Sequence, residues 1–139
     1  MNRYQIAVDK NRTDQPVFHF PDTHNPKKVL KYLSYCITRR GIFLADNIPL
    51  GVLDMAIVDL SRDSQIPIIT KEKSEAEILS ISMSYYHVYS LTDLPEKIAG
   101  SRVICCDFPA SLLPAHLKPL LVILYGGSRN LPNRMPQPI

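Results

Sequence analysis

DMAIVDLSRDSQIPIITKEKSE, residues 54–75, changes its hydrophobic period twice, and those changes decide the fold. Its first part continues a run from Pro49 in which Leu50, Leu53, Ala56, Ile57 and Leu60 recur at helical spacing, which predicts a helix over 49–61 with these side chains inward. Ile66 to Thr70 is short, apolar and β-branched, the mark of a buried strand. Ser74 and Glu77 then form a capping box, S-x-x-E, that predicts a helix running to about residue 84. Helix, buried strand, helix is the repeating unit of a parallel sheet, because each parallel connection needs a crossover.

The same alternation extends on both sides. Upstream, Ile42–Ala45 reads as a strand; downstream, His87–Leu91, Arg102–Cys106 and Leu120–Tyr125 do. TDLPEKIAG supplies a capped turn closing at Gly100, and DFPASLLPAHLKP reads as a proline-punctuated loop with one helical turn. Five strands separated by helical segments predict an open, mostly parallel, Rossmann-like sheet with helices on both faces.

The N-terminal third reads differently. RYQIAVD (3–9) and QPVFHF (15–20) flank the polar turn KNRTD and predict a β-hairpin, with Pro16 confining the second arm to a sheet edge. HNPKKVLKYLSYCITRRG (24–41) carries full helix punctuation: Asn25 as N-cap, Pro26 at the first helical position, Arg39 and Arg40 in the last turn, Gly41 just beyond. On this helix Val29, Leu30, Leu33, Cys36 and Ile37 gather on one side, and Lys28, Lys31, Tyr35 and Arg39 on the other. The expected architecture is one three-layer α/β domain over residues 1–125: N-terminal β segments (1–24), a basic amphipathic helix (25–41) and an alternating core (42–125). A Gly/Pro-rich tail, GGSRNLPNRMPQPI, occupies 126–139.

Composition narrows the class. With 45% hydrophobic and 21% charged residues in 139, the chain matches ordinary globular domains. The longest unbroken apolar run, Leu120 to Tyr125, is far short of the roughly 20 residues of a spanning helix. No secretory leader is readable at the N-terminus, and three cysteines without a C-x-x-C pair suit reduced thiols, so a cytoplasmic location is expected. His19, His24, His87 and His116 have no metal-ligand spacing. The net charge of +3 hides segregation: residues 1–40 carry +5, residues 41–100 carry −5 and residues 101–139 carry +3.

Two sets of candidate residues emerge. In open α/β sheets ligands sit beyond the carboxyl ends of the strands, where the sequence offers Asp46, Glu72 and Asp107. Three carboxylates there would suit Mg²⁺ or Mn²⁺ and a metal-dependent nuclease or phosphodiesterase. LYGGSRN places Gly126, Gly127 and Ser128 after the last strand, without a following helix or a phosphate-loop motif. Asp54, Asp59 and Asp63 do not converge on a helix wheel, since Asp54 lies about 140° from Asp59.

Over about 20 residues the stretch around Asp54 and Thr70-Lys71-Glu72 is similar to PIN-domain nucleases, in which an acidic helix residue precedes a strand ending in Thr-x-Asp. Upstream the likeness stops: Asp9 precedes Asp54 with no glutamate between them. No activity is assigned on it.

The second set is the basic helix face, Lys28, Lys31, Tyr35 and Arg39, joined by Arg129 and Arg134 of the tail. Lysines near a helix N-terminus oppose the macrodipole, so Lys27 and Lys28 are retained against a small local cost. This set predicts a non-catalytic module that binds a macromolecule, either a protein partner within a larger assembly or a nucleic acid, with no cofactor.

Overall fold

A computed structural model describes residues 8–9, 15–45, 48–82, 88–94 and 102–125, with only the backbone of residues 81 and 82. The chain forms β1 (Val17–His19), α1 (Pro26–Thr38), β2 (Ile42–Leu44), α2 (Leu50–Ser64), β3 (Ile68–Thr70), α3 (Lys73–Ser82), β4 (Val88–Ser90), β5 (Arg102–Cys106) and β6 (Lys118–Leu124). Single 3₁₀ turns lie at Leu91–Asp93 and Ala110–Leu112. The six strands make one sheet, every pairing parallel, in the order β1-β2-β6-β5-β3-β4. Among the described residues no helix is long and apolar enough to cross a membrane.

The strand order dictates the layers. The connections β1→β2, β2→β3 and β3→β4 advance across the sheet in one direction; β4→β5 and β5→β6 return. Parallel crossovers are right-handed, so reversing direction moves a connection to the opposite face. Accordingly α1, α2 and α3 all pack over Phe43, Ile68, Ile104, Cys106, Leu121 and Ile123. Ile42, Ile69, Val103, Cys105, Val122 and Leu124 point the other way, under Leu91, Leu94, Phe108, Ala110, Leu113 and Leu117. Among the described residues three layers result, with α1, α2 and α3 outside one face and the 3₁₀ turns, loop and the helical Val8 outside the other, so the expectation of full helices on both faces is met on one face only.

Local sequence explains each boundary. Asn25 caps α1, its Oδ1 accepting the Lys27 N–H at 3.0 Å, and Pro26 follows in the first turn. Val29, Leu33 and Cys36 are fully buried. At the C-terminus the expectation needs correcting: Arg39 and Arg40 lie beyond the last turn, and Arg40, at φ 51°, takes the left-handed position. The Gly41 N–H bonds the Cys36 carbonyl (2.9 Å) and the Arg40 N–H that of Ile37 (3.2 Å), a Schellman closure with Arg40 where glycine is usual. Gly41 serves another need, since a Cβ there would stand 2.6 Å from Phe18 Cε2 and 3.1 Å from the Pro16 carbonyl oxygen.

Elsewhere α2 runs to Ser64, and Gln65, also left-handed (φ 58°), closes it. The helix after β3 opens at Lys73, so Ser74 lies inside its first turn. Glu72 is the true cap residue, its carbonyl accepting from the N–H groups of Glu75 and Ala76. β6 starts at Lys118, earlier than the apolar run suggests, because a register shift opposite Val103/Ile104 accommodates Pro119 in a central strand. β1 pairs in parallel with β2. The first arm of the expected hairpin falls mostly outside the described residues, and Val8 and Asp9 at its end are helical.

Candidate nucleic-acid interface

The outer face of α1 is built by subtraction. Once Val29, Leu33 and Cys36 are committed to the core, helical spacing turns Lys28, Lys31, Tyr35 and Arg39 outward, and all four are exposed. Lys27 and Arg40 are exposed as well. From Pro26 through Arg40 the chain holds no carboxylate. Among the described residues, no ion pair engages Lys27, Lys28 or Lys31. The structure therefore brings four of the six predicted contact residues together on one surface. Arg129 and Arg134 lie outside the described residues.

Tyr35 is more than a member of this face. Its ring stands edge-to-face against Phe18 (5.3 Å, 85°) and Phe20 (5.9 Å, 88°), and Phe20 stacks flat on Tyr32 at 4.4 Å. Through Phe20 and Phe43, 5.7 Å apart, this aromatic group is anchored to β2. The Arg39 guanidinium lies over the Tyr35 ring, 3.6 Å from its centroid. Its Nη1 donates to the Tyr35 carbonyl (3.3 Å) and to Thr38 Oγ1 (3.0 Å). A long cationic side chain that would ordinarily sample many rotamers is thus held over the tyrosine ring while the residue remains exposed. The spacing i, i+4 was the signal for this pair; its stacking was not readable.

At the carboxyl ends of the strands, β3 and β5 are neighbours whose connections diverge to opposite faces, a topological switch point. Glu72 and Asp107 flank it, while Asp46 lies outside the described residues. Both have main-chain duties. Glu72 is exposed and starts α3 through its carbonyl. Thr70 Oγ1 donates to that same carbonyl at 2.9 Å. Asp107, buried and left-handed (φ 64°), accepts the Tyr125 N–H on Oδ1 at 3.0 Å. Among the described residues there is no group of three or more His, Cys, Asp or Glu able to hold a metal ion.

On α2, Asp59 and Asp63 share Arg62, and no three carboxylates converge on a metal-binding group among the described residues. Arg62 bonds Asp59 at 2.6 Å and lies 3.7 Å from Asp63, and Asp54 lines a shallow hollow of about 410 Å³ together with Asp59, Arg62, Gly51, Met55 and Val58. The cysteines are core. Cys105 and Cys106 face opposite sides of the sheet, burial pushes the Cys105 thiol well up, and burial raises Cys36 to about 12 against the opposing pull of Arg39. Thiols so held are poor nucleophiles.

No protein-family model matches the chain, and neither a curated protein nor a solved structure does. The geometry alone carries the functional argument.

Proposed function

We propose that this domain is a nucleic-acid-binding module whose contact surface is the outer face of α1. The observation that carries the reading is the Arg39 guanidinium held over the Tyr35 ring, 3.6 Å from its centroid, on a helix that exposes Lys28 and Lys31 and carries no acid. Phosphates select unpaired cations, and unstacked bases select planar groups; a fixed guanidinium offers both a charge and a plane. Single strands, whose bases can splay outward, suit this surface better than a duplex. No catalytic step is needed, and the carboxylates of Glu72 and Asp107 are not part of it.

Fluorescence anisotropy with labelled single-stranded RNA and DNA, beside the matching duplex, from 50 to 200 mM salt tests the proposal. Binding to the single strands that weakens steeply with salt, and that Lys28→Glu with Lys31→Glu abolishes, is expected. Arg39→Lys keeps the charge but loses the plane, so it weakens binding nearly as much as Arg39→Ala. The reading fails if the parent protein does not bind, or if the double charge reversal binds equally well.

A further inference from the structure

We propose a second phosphate-binding strip, formed by Arg40, Lys118 and Arg102 along the amino-terminal rim of the sheet. It rests on the preceding reading and extends it, because it begins where the α1 face ends. Arg40 leads into β2; β2 lies beside β6, which opens with Lys118; β6 lies beside β5, which opens with Arg102. All three residues are exposed. Among the described residues, no ion pair engages any of them.

Each cation sits where the fold alone would favour something else. Arg102 and Lys118 are register partners on adjacent strands. Like charges directly opposite one another destabilise a sheet. Arg40 holds the left-handed position of the α1 closure, where glycine or asparagine is the easier residue. Two independent departures from local preference, both retaining a positive charge on the same rim, point to an anionic ligand that offsets them. Neighbouring strands are about 4.8 Å apart, and because Ile42 pairs with Val122, Arg40 stands two residues, about 7 Å, further along the strand direction than Lys118, so the three positions span roughly 13 Å. That length suits two or three consecutive phosphates of a strand already engaged by Arg39. The ligand chemistry is the phosphodiester backbone, read without regard to base.

The test compares the salt dependence of single-strand binding in the parent protein, in Arg102→Gln/Lys118→Gln and in Lys28→Gln/Lys31→Gln. Each released phosphate contact lowers the slope of log K against log salt by about 0.7 on single strands. The rim variant is expected to lower it by about 1.4, additively with the helix variant. It is also expected to melt no lower than the parent, since a repulsive pair has been removed. An unchanged slope in the rim variant, with a lowered slope in the helix variant, overturns the strip and leaves the α1 reading standing. No binding by the parent overturns both. Inorganic phosphate serves as the other arm: saturation of the rim at millimolar phosphate, with no response to oligonucleotide, would reassign the site to a small anion and overturn the strip.

Discussion

The Asp107 carboxylate accepts the main-chain N–H of Tyr125 at 3.0 Å, joining the exit of β5 to the exit of β6. Because Asp107 is buried at φ 64°, it combines an acceptor with a left-handed backbone that few residues tolerate. Asp107→Asn keeps an acceptor oxygen and suits that backbone, so it is expected to cost under about 1 kcal/mol. Asp107→Ala strands the Tyr125 N–H and strains φ, costing about 2–4 kcal/mol. Urea unfolding of the two variants decides; equal losses would remove the hydrogen bond from the account.

Gly41→Ala is expected to destabilise by about 1–3 kcal/mol, because the added methyl meets the Phe18 ring at 2.6 Å and the Pro16 carbonyl at 3.1 Å. Phe18→Leu in the same chain recovers part of the loss if the ring is the obstacle. A double-mutant cycle by thermal melting reads the coupling.

The two ends of α1 respond in opposite senses. Asn25→Ala removes the side chain that bonds the Lys27 N–H and costs about 1 kcal/mol. Arg40→Gly relieves the left-handed position and gains about 1 kcal/mol, while weakening nucleic-acid binding if the rim strip exists. Calorimetry and anisotropy on the same samples separate the two effects.

Alkaline pH probes the buried thiols. Cys36 titrates at about 12 in the folded chain against an ordinary 9.0, so the unfolded chain releases that proton first. The stability contributed by the neutral thiol is fully present below pH 9 and declines between pH 9 and 12, by up to about 1.4 kcal/mol per pH unit. Cys105 moves in the same direction. Melting temperature is therefore expected to fall above pH 9, and to fall less steeply in Cys36→Ala once its lower starting stability is allowed for.

Much of this architecture was legible in the residues. The alternation from Ile42 onward announced the parallel sheet, and Asn25 with Pro26 announced the start of α1, because binary pattern and capping chemistry are local signals. What escaped was set by three-dimensional neighbours. Gly41 looks like a helix terminator, but its necessity comes from Phe18, on a strand that precedes the helix. Ser74 satisfies a capping-box pattern, yet Thr70 turns the chain early by bonding the Glu72 carbonyl, and the helix begins at Lys73. The outward set Lys28, Lys31, Tyr35 and Arg39 follows from helical period alone. The seating of Arg39 over Tyr35 depends on a ring braced by Phe18 and Phe20. The Arg102 and Lys118 pairing depends on strand order, and no single-chain pattern carries strand order.

The order β1-β2-β6-β5-β3-β4 also bears on how the molecule is made. During synthesis the first four strands can assemble only as two separate ribbons, β1 with β2 and β3 with β4, whose facing margins wait for the last two strands to emerge from the ribosome. Residues 102–124 then enter as an insert that joins the halves, so sheet closure depends on contacts distant in sequence and is slow compared with helix formation. A chain stopped before Lys118 would lose the middle of the molecule rather than its margin, and its remaining segments would emerge with apolar edges uncovered.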